Sequence, residues 1–199
     1  QLDDFNMLQL RCGLNPFCSE IRLLPGESFT TPEAVVGYTD RGKGQLTRNF
    51  HRWARRYGLA HGDRLRSVTL NNWEGTHWNF NEKDLQGIID KAAEIGCELF
   101  VLDDGWFGDK YPRNDATAGL GDWHVNPAKL PGGLQSIAGY AAERGLRFGV
   151  WIEPEMVNPR SELAQKHPEW IVRSGDREIP TLRHQWLLDL CNPEVQDFL

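Results

Sequence analysis

Residues 97–104, CELFVLDD, form a nearly continuous apolar run that ends in two adjacent acids. Helical patterns flank this run at 81–96 and at 133–145, where apolar residues recur at the spacing of one helix face. Asn81 can cap the first of these helices and Gly96 can end it. A short apolar strand between amphipathic helices is typical of a parallel sheet covered by helices. The stretch therefore predicts an α/β fold.

The same alternation of strands and helices extends in both directions. RSVTLNNW at 66–73 predicts a strand with a polar carboxyl end, and RFGVWIEPE at 147–155 predicts a third strand that again ends in acids. Further elements are predicted toward the carboxyl terminus: a short helix that opens at Asn158 and Pro159 and stops at Pro168, a fourth strand LLDLCN at 187–192, and a helix that begins with PEVQDFL at 193–199.

Polar and acidic residues cluster at the carboxyl ends of these predicted strands, where a (β/α)8 barrel carries its chemistry. We therefore predict a partial (β/α)8 TIM-type barrel, since only three or four of the eight units are present. A doubly wound sheet is the alternative, but it usually has a Gly-rich phosphate loop after its first strand and none occurs here. Before the barrel, residues 1 to about 40 have β-like patterns, in FNMLQLRC at 5–12 and EIRLLPGESF at 20–29, and 45–60 predict a helix.

Composition limits the classes of partner. The 199 residues are 40% hydrophobic and 25% charged with a net charge of -6, which indicates a globular protein and argues against nucleic-acid or anionic-membrane surfaces. No run of 18 apolar residues predicts a membrane span, and the first residues do not resemble a signal peptide. Because the chain opens with Gln1, we expect it to begin inside a longer protein.

Four scattered cysteines lack CxxC spacing and favour free thiols in a reducing compartment, hence a cytoplasmic location. A Cys12–Cys18 disulfide is the alternative.

The adjacent acids Asp103 and Asp104 are the first candidate ligand groups. A buried carboxylate needs hydrogen-bond donors, and the paired hydroxyls of a sugar would supply them. The alternative is that one acid caps a turn, because Asp-Gly is a turn signal. Glu153 and Glu155 raise the same choice between a substrate role and a structural one, with neither favoured.

Tryptophans and one arginine complete the candidate site. The chain has eight tryptophans, several of them among Asn, Asp and Gly, a setting that suits sugar rings. Trp151 lies opposite in alternation to Val150 and Ile152 and could floor a pocket. Arg183 precedes the fourth predicted strand and could reach pocket acids or a substrate hydroxyl, although an exposed arginine is the simple alternative.

A metal-dependent barrel enzyme is the rival interpretation from another class. Asp104, Glu153 and Asp189 would then hold Mg²⁺ at successive strand ends. The many tryptophans, and the lack of an obvious Lys or His base at a strand end, favour the sugar interpretation, for which no cofactor is expected. A sugar-binding fragment without catalysis is the third alternative.

Seven motifs in order resemble glycoside hydrolase family 36 α-galactosidases of the bacterial type. They are LPGESFTTPEAVVGYTD (24–40), LNNWEGTHWNF (70–80), FVLDDGWFG (100–108), GDWHVNPAKLPGGL (121–134), FGVWIEPEMVNPRSEL (148–163), HPEW (167–170) and LLDLCNPEV (187–195). The resemblance implies that 1–44 end an N-terminal β-supersandwich, that 45–65 form a linking helix, and that 66–199 begin the catalytic barrel.

The resemblance also implies the roles of individual residues. Asp103 and Asp104 would hold galactose hydroxyls, Trp73 and Trp151 would line the galactose pocket, and Arg183 would lie near the sugar. The family's nucleophile is an aspartate in a KWD motif, and its acid/base is a later aspartate; the chain contains neither, so both are expected beyond Leu199.

The expected parent activity is retaining hydrolysis of terminal α-1,6-linked galactose from oligosaccharides such as melibiose and raffinose. The isolated chain is expected to be inactive, and the parent could be a homotetramer.

Overall fold

A computed structural model of the chain describes residues 7, 8, 10, 12–14 and 21–199. It divides into two compact units, Gln1–Leu65 and Arg66–Leu199. Among the described residues, no helix is both long enough and apolar enough to cross a membrane. Cys18 lies outside the described residues, so a Cys12–Cys18 disulfide stays untested.

Within its described residues, the first unit contains one α-helix. Helix α1 spans Gly42–Trp53 and continues as a π-helical turn over Ala54–Gly58, close to the predicted range 45–60. The Pro-Gly turn after Leu24 forms, because the Glu27 amide donates to the Leu24 carbonyl at 3.0 Å.

The strand predicted at 20–29 is wrong for its described part. Residues 21–40 contain no strand, and the apolar side chains there are largely exposed. A strand needs a paired backbone, and an alternating pattern cannot supply the partner. Half of the strand predicted at 5–12 falls on residues outside those described, namely 5, 6, 9 and 11, so this strand stays a prediction.

Three parallel strands form the sheet of the second unit. They are β1 (Thr69–Asn71), β2 (Leu99–Leu102) and β3 (Arg147–Val150), hydrogen-bonded in the order β1-β2-β3. The register places Thr69 beside Leu99 and Leu99 beside Arg147, so the carboxyl ends of all three strands meet at one edge. This arrangement confirms the predicted parallel strands.

The two long connecting helices form where their patterns predict them, whereas the short turn of helix after β1 was not predicted. A single turn, α2 (Trp73–Thr76), follows β1; α3 (Glu82–Glu94) then leads to β2, and α4 (Gly133–Glu143) leads to β3. Asn81 caps α3 in a reciprocal capping box with Asp84.

The core of this unit lies between the sheet and these helices. Its fully buried members include Leu85, Ile89 and Ala92 from α3, Ile137 and Ala141 from α4, and Phe100 and Leu102 from β2. Burying such side chains stabilises the fold by about 1.5–3 kcal/mol for each large one. The helices are thus held against the sheet by the apolar stripes visible in the sequence.

The segment after β3 differs from the prediction. Strand β4 (Met156–Val157) pairs antiparallel with β5 (Trp186–Leu187), and the turn Asp189–Cys191 follows, so the fourth parallel strand predicted at 187–192 is wrong. Leu188 is buried in a second apolar cluster, where it bridges to Ile171. Burial in this local cluster directs the segment into an antiparallel pairing instead of to the edge of β3.

Short helices complete the segment. Helix α5 spans Glu162–Lys166 and is capped by Ser161, so it begins later than predicted from Asn158 and Pro159. A 3-10 turn at Pro168–Trp170 follows, and α6 spans Pro193–Phe198 as its pattern predicts.

Candidate functional site

A pocket of about 390 Å³ opens at the carboxyl ends of the three parallel strands. Its lining residues are Trp73, Asp103, Asp104, Trp151, Ile152, Glu153, Glu155 and Arg183. All five predicted site residues are therefore brought together, along with the two glutamates that sequence reasoning left undecided. Their roles toward a ligand stay predictions.

Asp103 follows the last residue of β2 and is held from the direction of β1. Its amide donates to Asn72 Oδ1 at 2.8 Å, and its Oδ2 accepts a hydrogen bond from the Asn71 side chain. Its Oδ1 accepts the Asp104 amide at 2.7 Å. An ionised carboxylate has about four acceptor positions, so about two remain open on this half-buried group. Asp103 is oriented by the protein and still able to accept hydroxyl donors.

Asp104 is buried and largely satisfied within the protein. Arg113 donates from Nε to Oδ1 at 2.9 Å and from Nη2 to Oδ2 at 2.9 Å, and the Trp78 indole donates to Oδ2 at 2.9 Å. Arg113 and Trp78 thus supply most of the hydrogen-bond donors that this buried acid needs, and its role toward sugar hydroxyls stays a prediction. About one acceptor position stays open where Asp104 lines the pocket.

The turn after Asp104 requires glycine. Gly105 has φ +109, and a Cβ added there would lie 3.1 Å from the Trp78 ring. Only a residue without a side chain lets the indole of Trp78 approach the acid at this turn.

Lys129 hydrogen-bonds to three separate loops on the Asp104 side of the pocket. Its ammonium donates to the carbonyls of Trp78, Gly105 and Arg113 at 2.8, 2.8 and 2.9 Å. Burial lowers the pKa of Lys129 to about 8, against a partial opposing effect of Asp104. Neither Lys129 nor Arg113 was found from the sequence. A buried acid indicates that hydrogen-bond donors or a cation must lie beside it, but nothing in the pattern selects a cation among 22 Lys and Arg residues.

Two tryptophans form the apolar part of the lining. Trp73 begins α2 and makes an edge contact with Trp78, with ring centroids 4.9 Å apart. Trp151 follows β3 and stacks at 6.4 Å on Phe107, which is fully buried. Each ring is therefore held by an aromatic neighbour while it remains partly accessible in the pocket.

Arg183 reaches the pocket from a two-residue turn. Leu182 and Gln185 exchange backbone hydrogen bonds at 2.9 and 3.3 Å, and Arg183 and His184 between them have φ values of 54° and 61°. These angles match a type I′ hairpin, which usually uses Asn or Gly. The Arg183 side chain is 63% exposed, and its guanidinium lies 4.0 Å from the Glu153 carboxylate.

The three acids of the metal-dependent alternative do not come together in the structure. Asp104 and Glu153 line the pocket, but Asp189 does not, and its carboxylate accepts the Cys191 amide within a turn. Among the described residues, no group of three or more His, Cys, Asp or Glu side chains could hold a metal ion. The proposed ligands Asp104, Glu153 and Asp189 are therefore not supported.

Two curated α-galactosidases are similar to this chain in sequence. Alpha-galactosidase AgaA of Geobacillus stearothermophilus is 45% identical over 202 residues, which cover 100% of the chain and 27% of AgaA. Alpha-galactosidase Mel36A of Lactobacillus acidophilus is 40% identical, over 98% of the chain and 26% of Mel36A. The chain thus spans about a quarter of the length of these relatives.

Solved structures give the same result. A crystal structure of a variant of the GH36 α-galactosidase AgaA in complex with raffinose matches with a TM-score of 0.83 at 45% identity, over 87% of this chain and 24% of that one. The α-galactosidase of Lactobacillus brevis matches with a TM-score of 0.78 at 40% identity, over 85% and 23%. These matches confirm the resemblance to family 36 and the α/β class. A family model described as Melibiase matches residues 28–199, and the chain belongs to that family.

Proposed function

We propose that this chain supplies the galactose-binding part of an α-galactosidase that releases terminal α-1,6-linked galactose. The observation that carries the proposal is the pocket at the strand ends, which gathers Trp73, Asp103, Asp104, Trp151 and Arg183. Relatives crystallised with raffinose and stachyose support oligosaccharides of that type as substrates.

Each wall of the pocket suits one part of a sugar. The open acceptor positions of Asp103 take hydroxyl hydrogens, and Asp104 offers one more. Trp73 and Trp151 present apolar ring faces to the C–H face of the ring. Arg183 donates to a hydroxyl from the turn that carries it, beside the Glu153 carboxylate.

Bond cleavage needs two further carboxyls that flank the glycosidic bond. Asp103 and Asp104 are adjacent in sequence at the end of one strand, so they are poorly placed to act on opposite sides of one bond. We assign the nucleophile and the acid/base of a retaining mechanism to aspartates outside this chain, as the resemblance implies.

The larger architecture belongs to the same proposal. Residues 66–199 would be the first part of a (β/α)8 barrel, 1–44 the end of a β-supersandwich and 45–65 the linking helix. The division of the chain after Leu65 is consistent with this boundary. A cytoplasmic location and a homotetrameric parent remain predictions.

Sugar binding by the 199-residue chain tests the proposal. Methyl α-D-galactoside should change the tryptophan fluorescence, because Trp73 and Trp151 line the pocket, and methyl α-D-glucoside should do so far less. Asp103→Asn should weaken binding about tenfold through loss of a charged acceptor. Glu74→Gln, at an exposed acid on α2 outside the pocket lining, is the matched control. No response to the galactoside, or equal loss in both variants, would contradict the proposed site.

Turnover of an aryl α-galactoside separates the alternatives. We expect none from the chain alone. Turnover that survives EDTA would assign cleavage to acids within the chain, and turnover lost to EDTA would favour the metal-dependent alternative. If a complete protein that contains the chain binds galactosides but never cleaves them, the non-catalytic alternative is correct.

A further inference from the structure

Asn158 is a fully buried amide whose hydrogen-bonding capacity is filled. Its Oδ1 accepts from Arg113 Nη1 and from the Leu120 amide, both at 2.9 Å. Its Nδ2 donates to the carbonyls of Ala116 at 3.0 Å and His184 at 2.7 Å. Two donors and two lone pairs are all that an asparagine side chain can offer.

Two of these four bonds connect two groups of residues at the pocket: the acid wall, which is Asp103 and Asp104 with the cations Arg113 and Lys129, and the arginine wall, which is the turn that carries Arg183. Through Arg113, Asn158 reaches Asp104 on the acid wall. Through the His184 carbonyl, it reaches the turn that carries Arg183. Asn158 itself does not line the pocket, so it would act on a ligand only through these neighbours.

The turn needs such an external hold. Arg183 and His184 both adopt left-handed backbone conformations, which are unfavourable for residues with side chains and persist where the surroundings impose them. The bond from Asn158 to the His184 carbonyl supplies part of that restraint. A second contact, from Gln185 Nε2 to Glu153 Oε2, is longer at 3.3 Å.

We infer that Asn158 is a positioning residue that sets the place of Arg183 relative to Asp103 and Asp104 across the sugar pocket. This inference rests on the proposed function, because it assigns the arginine turn to galactose binding. An amide is required at this position because its oxygen accepts a hydrogen bond from the cationic Arg113 while its nitrogen donates to two carbonyls.

Asn158→Asp keeps the acceptor atom of this side chain and removes its donor. An aspartate keeps the acceptor toward Arg113 and Leu120 but turns a second oxygen toward the carbonyls of Ala116 and His184. Asn126→Asp is the matched control, because Asn126 is also buried and its oxygen accepts the backbone amides of Ala128 and Lys129 at 3.0 and 3.3 Å, without a bond to the turn that carries Arg183. Asn158→Ser, too short to span both sides, replaces Asn158→Asp if the latter does not fold by circular dichroism.

A double-variant cycle gives the first readout. Affinity for methyl α-D-galactoside is measured in the 199-residue chain for Asn158→Asp, Arg183→Met and both together. We expect Asn158→Asp to weaken binding about tenfold when Arg183 is present and less than twofold when it is absent. Equal losses in both backgrounds in folded protein would overturn the inference, since a purely structural amide would act independently of Arg183.

Hydrogen exchange gives a second readout that needs no sugar. The Gln185 amide is bonded within the turn, so its exchange should accelerate at least about tenfold in Asn158→Asp and stay unchanged in Asn126→Asp. If the unsubstituted chain binds no galactoside, the proposed function fails and this exchange rate alone decides the positioning role. An unchanged rate would overturn it.

Discussion

The two walls of the pocket are built in opposite ways. On the acid wall, the Arg113 side chain is 0% exposed and that of Asp104 is 6% exposed, and Lys129 fastens three backbone carbonyls behind them. On the arginine wall, a two-residue turn holds Arg183 with its side chain 63% exposed. The first wall is stabilised by buried polar bonds, whereas the second is a turn with two left-handed residues and an exposed arginine side chain.

This difference predicts which substitutions lower stability and which mainly weaken ligand binding. A group that is buried and paired cannot be removed without leaving its partner unsatisfied, so substitutions on the acid wall should lower stability. An exposed side chain on a turn has little to lose in the folded state, so substitutions at Arg183 should affect ligand binding more than folding.

Arg113→Met should cause the largest loss. It leaves the Asp104 carboxylate buried without its cation, which typically costs about 3–5 kcal/mol. Urea denaturation followed by circular dichroism measures the loss in the free energy of unfolding. Arg183→Met is the matched substitution on the other wall and should cost less than about 1 kcal/mol. Equal losses would show that the two walls do not differ as described.

Removal of the Asp104 carboxylate together with Arg113 tests whether the lost stability comes from an unpaired buried charge. Asp104→Leu combined with Arg113→Met removes both charges from the interior, and it should recover part of the lost stability. If the double variant is less stable than Arg113→Met by itself, the loss comes from packing and not from an unpaired charge.

Lys129→Met should have an intermediate effect. Methionine keeps much of the stem volume but leaves the carbonyls of Trp78, Gly105 and Arg113 without their shared donor, at a cost of about 1–3 kcal/mol. Lys83→Met, at an exposed lysine on α3, should change the free energy of unfolding by less than about 0.5 kcal/mol.

The pH dependence of stability, compared between the parent chain and Lys129→Met, sharpens this prediction. Because the pKa of Lys129 is about 8 in the folded chain and 10.5 when unperturbed, the unfolded chain binds more protons between these values. The contribution of Lys129 to the free energy of unfolding should therefore rise with pH across that window and be constant below it. Unfolding measured from pH 7 to pH 10 should show a steeper rise in the parent chain than in Lys129→Met. Parallel curves would contradict the burial of this ammonium.

His184→Gly should have the smallest effect, of opposite sign. Glycine adopts the φ of 61° without steric cost, while the His184 side chain is exposed and its carbonyl bond to Asn158 is kept. We expect a gain of at most about 1 kcal/mol by thermal or urea unfolding. A loss of stability would mean that the turn is not strained at this residue.

Much of the α/β unit could be predicted because its signals are local. The apolar stripe of α3, its cap at Asn81 and the glycine at Gly96 all lie within one segment, and the strand at 97–104 is marked by its apolar run. The five candidate pocket residues were found by strand position and resemblance, and the structure gathers them in one pocket.

The failures concern interactions between distant segments. The strand predicted at 187–192 had the right composition, but Leu188 is buried against Ile171 and the pairing partner of Leu187 is Met156. Asn158 looked like a helix start, whereas its amide serves Arg113 and the His184 carbonyl. In each case the decisive partner is 17 or more residues away, where no spacing rule applies.

The sequence by itself determined the parallel βα units, their order and the family, because periodicity, caps and ordered motifs are written along the chain. Only the tertiary structure decided which cation neutralises Asp104 and which amide links Arg113 to the turn that bears Arg183. The physical reason is that a buried polar group demands a partner without naming it, and the choice among chemically equal candidates depends on which of them folding brings within hydrogen-bond distance.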